Sequence, residues 1–382
     1  MSLKPLPYNA PIEDYASQAD ALLDGWKSGD EWAVNAFRNR HPKFLDDKIP
    51  WLARDMTDAE VRATSIDRED ARLALARWYD FQDWQRVEDY AASVKHGPVE
   101  EFERAVEAVI DGDILTLRTL LKRDPRLVRA RSTRVNNADP PMHRATLLHY
   151  LAANGVEGYR QRSPKNAADI AKLILSTGAD PNALSYAYGG QCTTLALLVS
   201  STPPADAGVQ VPIVEVLVDF GASMLPAGEG QWTSPIETAL VFGKRAAAQA
   251  LVRRGAPVKT LAAAAGLGYV DDVKRMLPSV TSLDRHRALA LAAQCGHADV
   301  VGVLLDAGED PNRFNPPGTH AHTPPLHQAI AAGHLDVVKL LIDRGARLDI
   351  KDTIHQGTPL GWAKYCNQPA IADYLRTRGA SA

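Results

Sequence analysis

Apolar positions recur at spacings of three and four through most of the chain, the period of an amphipathic helix. The cleanest stretch runs from Thr323 to Leu348, TPPLHQAIAAGHLDVVKLLIDRGARL. It predicts a short helix, a Gly-His turn, a second helix and a glycine stop. The same alternation returns as RALALAAQCGHADVVGVLLDAGEDPN from Arg287 and as TPLGWAKYCNQPAIADYLRTRGA from Thr358. A more distant version, ERAVEAVIDGDILTLRTLLKRDP from Glu103, keeps two helices without the other signals. Residues 1–96 read differently. Asp67-Arg68-Glu69-Asp70 opens a helix with acidic residues in its first turn. The apolar pattern then continues to His96-Gly97-Pro98, where it stops. Further helices are expected near Tyr15 to Trp26 and Glu31 to Arg40. Trp26, Trp32, Trp78, Phe81 and Trp84 are read as the core of this region.

Ankyrin repeats have as hallmarks TPLHxAA, a GH turn, a VVxLLL helix and a GAxxN exit; the paired segments match several of these in succession and so resemble ankyrin repeats over roughly Glu101 to Ala382. The resemblance implies an all-α fold, an ankyrin-repeat solenoid of about seven to eight helix pairs. Residues 101–382 would form the solenoid and residues 1–96 a helical N-terminal region that caps it. It also implies that His149 and His327, at the TPLH position, tie neighbouring loops together by hydrogen bonds. His297 and His334 fall in GH turns and read as structural, while His41, His96 and His286 lie at element ends and read as surface residues.

Aligned on the TPLH histidine, the units at Glu237, Ala262 and Ala290 are only 25 and 28 residues apart, against an ankyrin norm of about 33. No room is left for a β-hairpin finger before Thr260 or before Arg287. Long segments flank this short middle, Arg129 to Ala145, Pro181 to Thr193 and Met224 to Thr233 upstream and Glu309 to Thr323 downstream. The pattern predicts a central hollow floored by the small residues Leu261 to Gly266. Tyr186, Tyr188 and Trp232 on one side and Arg313, Phe314, His320 and His322 on the other are its candidate binding residues. Aromatic bodies with a few polar groups line both ligand pockets and protein hot spots, so composition leaves the two open. His320-Ala321-His322 would need a third ligand, such as His143, Asp352 or His355, to hold a metal. Two adjacent repeats also carry expanded inter-helix turns, at 155–169 and 203–210. Neighbouring inserts on one edge should touch, and Glu157, Tyr159, Arg160, Gln161 and Arg162 mark a candidate secondary loop site.

Composition narrows the function. Across 382 residues, Lys+Arg 43 against Asp+Glu 46 leaves a net charge of -3, which argues against a globally basic nucleic-acid binder. The basic run from Lys122 to Arg134 lacks the aromatic residues of a stacking surface and reads as a solvated finger face. Cys192, Cys295 and Cys366 are too few and too far apart for a disulfide framework or a CxxC site. No signal peptide and no apolar run of membrane-spanning length is visible, so a cytoplasmic location is expected. No P-loop, GxSxG or HExxH motif is present, and no cofactor and no metal is expected. Three functions remain: a module binding a protein or peptide partner on its concave face, a small-molecule or catalytic site in the hollow, and a scaffold that recruits through its N-terminal helices.

Overall fold

Most helices here start on a side chain that caps backbone N–H groups or on proline, and many end on a residue in the left-handed region. The structure, a computed structural model, describes residues 3–226 and 234–381. It is mostly helical, with a single two-stranded sheet among the described residues. The chain divides into two compact units, Met1–Leu197 with Thr202–Val209, and Leu198–Ser201 with Gln210–Ala382.

The first unit opens with α1 (Ile12–Ser28), α2 (Glu31–Arg40), α3 (Asp58–Ala63), α4 (Arg68–Trp78) and α5 (Trp84–Ser93). Asp67 caps α4 by accepting from the N–H of Asp70, whose own carboxylate returns to the N–H of Asp67. Tyr15, Leu22, Phe37, Phe44, Leu75, Tyr79 and Phe81 fill the core, while Trp26, Trp32, Trp78 and Trp84 pack half-buried around it. The pairs α6 (Pro98–Asp111) with α7 (Ile114–Arg123), and α8 (Leu147–Tyr150) with α9 (Ala167–Ser176), follow. The boundary expected at 96–101 therefore falls inside this unit, at the start of α6. A hairpin of β1 (Leu184–Ala187) and β2 (Gly190–Thr193) comes next, with Tyr186 opposite Gln191. Both turn residues, Tyr188 and Gly189, have positive φ, 54° and 76°. That is the primed turn whose twist matches the strands. The helices α10 (Thr194–Leu198) and α11 (Thr202–Asp206) complete the passage between the units.

The second unit is more regular. It contains α12 (Gln210–Asp219), α13 (Pro235–Val241), α14 (Arg245–Arg253), α15 (Leu261–Leu267), α16 (Val270–Met276), α17 (Ser282–Cys295), α18 (Ala298–Asp306), α19 (Pro325–Ala331), α20 (Leu335–Asp343), α21 (Pro359–Tyr365) and α22 (Pro369–Thr377). First helices pack on first helices, α13 on α15, then α17, α19 and α21, and second helices stack likewise from α16 to α22. Ala264, Ala265, Ala288, Ala292 and Ala293 let the first row approach closely, and Val300, Val301, Leu304, Val337, Val338 and Leu341 fill the second. Burying each such large aliphatic side chain is worth about 1.5–3 kcal/mol. The Gly-His turn is a joint between repeats. A Cβ on Gly268 or Gly296 would stand 2.6 Å from the Nδ1 of His297 or His334 in the next repeat. Those imidazoles donate through Nε2 to the carbonyls of Gly266 and Gln294, both at 3.0 Å. Only residues 254–260 join α14 to α15, and only 277–281 lie between α16 and α17, so both links are fingerless.

Two histidines depart from the surface placement expected for them. His41 is buried against Phe37 and Phe44 and sits 3.1 Å from Asp70. His286 is buried because α17 begins upstream of the repeat's usual start, which puts the residue under the segment that follows α18.

Candidate functional site

The segment between α18 and α19, residues 307–324, folds back onto the first helices of its own unit. His286 Nε2 donates toward the carbonyls of Arg313 and Phe314, both at 3.1 Å, and its Nδ1 lies 3.4 Å from Glu309. Arg287 donates to the Pro317 carbonyl at 3.4 Å. His320, at a φ of 58°, donates through Nε2 to the carbonyl of Val241 at the end of α13, at 3.0 Å. The N–H of Thr353, in the next finger, donates to the His322 carbonyl at 3.0 Å. The finger is thus bonded along its length, from the start of α17 to the end of α13. Arg313 is exposed and Phe314 half-buried. The His322 ring lies 6.0 Å from that of His320 and 6.0 Å from that of Trp362. Burial and the neighbouring His320 hold its pKa below the usual imidazole range.

The two imidazoles gain no third metal ligand. Asp352 is occupied, accepting from the N–H groups of Ile354, His355 and Gly357 and from the indole of Trp362 at 3.0 Å. Among the described residues no group of three or more His, Cys, Asp or Glu is placed to hold a metal ion. His327 donates to the Gly357 carbonyl at 3.3 Å, so it does tie its repeat to the following finger.

At the fingerless links lies a pocket of about 200 Å³. Leu261, Ala262, Met276 and Val280 form its apolar part, and Glu237, Lys259, Asp284 and Arg287 its polar part. Ala263 to Gly266, expected to floor the hollow, are packed away between the first helices. Phe314, His320 and His322 are not among the residues that line it.

The upstream candidates lie in the first unit. Tyr186 and Tyr188 line a cleft of about 370 Å³ together with Glu157 and Gln161 of the inter-helix insert. Arg40, Asp80, the 136–139 turn and His143 complete it. The Tyr186 hydroxyl accepts from Gln191 at 3.1 Å, and the Tyr188 hydroxyl donates to Asn154. Asp80 accepts from the N–H of Gly158 and stands 3.6 Å from Arg40. Burial pushes its carboxyl above the usual range, against the pull of those two partners. Trp232 lies outside the described residues.

The insert itself turns inward. Arg160 is 0 % exposed, and bonds Glu103 at 2.7 Å and Glu107 at 3.0 Å. Glu157, also buried, meets Arg134 at 3.1 Å and His143 at 3.2 Å. His143 Nδ1 accepts from the N–H of Ala145, so its proton sits on Nε2 and is donated to Glu157. Burial opposes the Glu157 charge, but Arg134, His143 and Arg160 outweigh it and hold the carboxyl well below its usual range. The Arg134 guanidinium lies 4.1 Å from the Phe81 ring and donates to the Tyr159 hydroxyl at 2.6 Å. Side chains read from sequence as a polar loop surface are therefore the centre of a buried ionic network, with Gln161 left at the cleft. The two inserts do touch, through Lys165 and the Ala207 carbonyl at 2.8 Å. Three of the six bases in the run from Lys122 are paired with acids: Arg123 with Glu101, Arg126 with Asp124, and Arg134 with Glu157 in the network.

Residues 285–316 match the family model for the ankyrin repeat, and residues 317–382 match the model for ankyrin repeats in three copies. The C-terminal quarter of the chain is therefore ankyrin-repeat, and ankyrin repeats are generally protein–protein interaction modules. No curated protein matches the chain. Among the described residues no helix is long and apolar enough to cross a membrane.

Proposed function

We propose, from the ankyrin repeats at residues 285–382, that the protein is a binding module for a protein or peptide partner, recognised through the finger-lined face of its second unit. Arg313, Phe314 and His322 are its contact residues, while His320, bonded to the Val241 carbonyl, holds the finger's frame. The supporting observation is the finger at 307–324. His286, Arg287 and His320 fasten its backbone to α17 and α13. A surface already fixed loses little conformational freedom on binding. The helix pairs from α6 onward are read as divergent members of the same repeat, with α1–α5 as the cap of the first, because each has the same two-helix plan. Capture from a native extract tests the reading. The full chain and its Arg313→Ala/Phe314→Ala variant are compared by quantitative mass spectrometry, with melting curves alongside. Partners lost only with the variant support it; an unchanged set refutes it.

A second reading has its own observation. The cleft in the first unit brings Tyr186, Tyr188, Glu157 and Gln161 together with Asp80, whose carboxyl is perturbed by burial. Its volume of about 370 Å³ falls in the range of small-molecule sites. Under this reading the protein binds a small polar ligand there, and Asp80→Asn abolishes that binding while leaving partner capture intact.

A further inference from the structure

The pocket at the fingerless links has an uneven electrostatic account. Its lining holds two acids and two bases, so its formal charge cancels. The acids are already engaged. Asp284 accepts from both the N–H and the hydroxyl of Thr281, the cap of α17, at 3.2 and 2.7 Å. Glu237 accepts from the hydroxyl of Thr260, the cap of α15. The bases are not. Among the described residues neither Lys259 nor Arg287 forms an ion pair, and neither has a further interaction beyond those described. Arg287 has only the weak bond to the Pro317 carbonyl at 3.4 Å, and its Nε is buried with no partner. A buried donor without an acceptor is costly, and for a charged group more so.

We infer that this pocket receives a carboxylate carried on a short apolar stem, with Lys259 and Arg287 as its counter-charges and Leu261, Ala262, Met276 and Val280 around the stem. Such a group is offered by a glutamate side chain or a chain end of a partner peptide, and equally by a free short-chain acid. A volume of about 200 Å³ suits one side chain rather than a larger ligand. The absence of two fingers is what leaves room for the pocket: residues 254–260 and 277–281 are too short to place a finger over it, and the 307–324 segment bonded to the start of α17 is not part of its lining. Glu237, 6 % exposed and in the lining, works against an anionic guest. That opposition gives the proposal a sign that mere stickiness would not produce. The inference deepens the partner-binding reading, but a free acid tests the pocket without needing Arg313, Phe314 or any partner.

The test uses the full chain with methyl-labelled methionine, since Met276 lines the pocket and reports on it directly. Butyrate should shift the Met276 methyl signal saturably at millimolar concentration, whereas butylamine and butyramide should not. Lys259→Gln and Arg287→Gln should each weaken butyrate binding about tenfold or more, and Glu237→Gln should strengthen it, with melting curves run alongside to show that each variant is folded. An acetylated, amidated peptide carrying one glutamate, and an acetylated dialanine with a free C terminus, then identify the source by which binds more tightly. The proposal is overturned if none of these acids moves Met276, if butylamine or butyramide moves it as butyrate does, or if Glu237→Gln weakens binding. Failure here with Arg313-dependent partner capture intact would remove the pocket alone.

Discussion

The two units bury their interiors in opposite ways. The second repeats one solution: small residues between first helices, branched aliphatics between second helices, and, at two successive turns, a glycine under a histidine. The first unit buries Arg134, Arg160, Glu103 and Glu157 in one connected network with three tyrosines. A repeat interior is a sum of many similar contacts, so no single residue decides the fold. A buried ionic network is conditional. Each charge is tolerable only while its partners stay in place, because desolvation costs about as much as pairing returns. The comparison teaches that the irregular unit is the fragile one at particular residues, although its core is no smaller.

The sharpest way to break this contrast is Arg160→Ala. It leaves Glu103 and Glu157 buried and short of a counter-charge, and should cost about 3–5 kcal/mol in urea unfolding. Converting the pair together, Arg160→Met with Glu103→Leu, should recover most of that loss; no recovery would mean that the network's charge is not what matters. In the second unit, Leu341→Ala should cost about 2–5 kcal/mol through the cavity it leaves between α18, α20 and α22. A cost below about 1 kcal/mol would contradict the packing described for that row.

Acid should act on both units. Burial, set against weaker backbone hydrogen bonds, presses the His149 pKa to about 3. Burial also lowers His286, His297, His327 and His334. These side chains are neutral when folded, and the unfolded chain takes up more protons below about pH 6.5. Their contribution is therefore complete above that pH and is lost as the pH falls. Asp80 and Glu107, whose carboxyls burial raises, oppose the trend. With His41 and His322, which burial lowers as well, seven histidines against two acids should lower the urea midpoint steadily from about pH 6.5 to about pH 5; a flat or rising midpoint would show that the imidazoles are not held neutral.

Smaller effects separate the finger's frame from its contacts. His320→Ala removes the bond to the Val241 carbonyl and should cost about 0.5–1.5 kcal/mol. Arg313→Ala, at an exposed position, should leave the melting temperature unchanged and weaken partner binding about tenfold. The reverse pattern would assign the frame to Arg313 and the contact to His320.

Legibility followed the same division. The C-terminal repeats were readable because the GH turn and the aliphatic second helix recur around a single TPPLH, with TPL opening the unit that follows. Local signals elsewhere were equally direct: Glu31–Arg40 is a helix over those residues, and Asp67 is the cap of α4. The insert at 155–169 was not readable in the same way. Its side chains look like a solvated loop because their partners, Glu103 and Glu107 for Arg160, are far upstream in the chain. His286 was missed for a related reason. It precedes the aligned start of its repeat, so nothing local shows that a finger returns to cover it. The missing fingers were visible in the 25- and 28-residue spacings, but which charges would be left unpaired beside them was not.

Hydrogen exchange on the full chain, with and without a partner identified by capture, tests the central claim most directly. The account predicts new protection in peptides covering 307–324 and the neighbouring finger at 349–358, with none in the β1–β2 hairpin. Protection confined to the hairpin and the 155–161 insert, with the second unit unchanged, would contradict it and move recognition to the first unit.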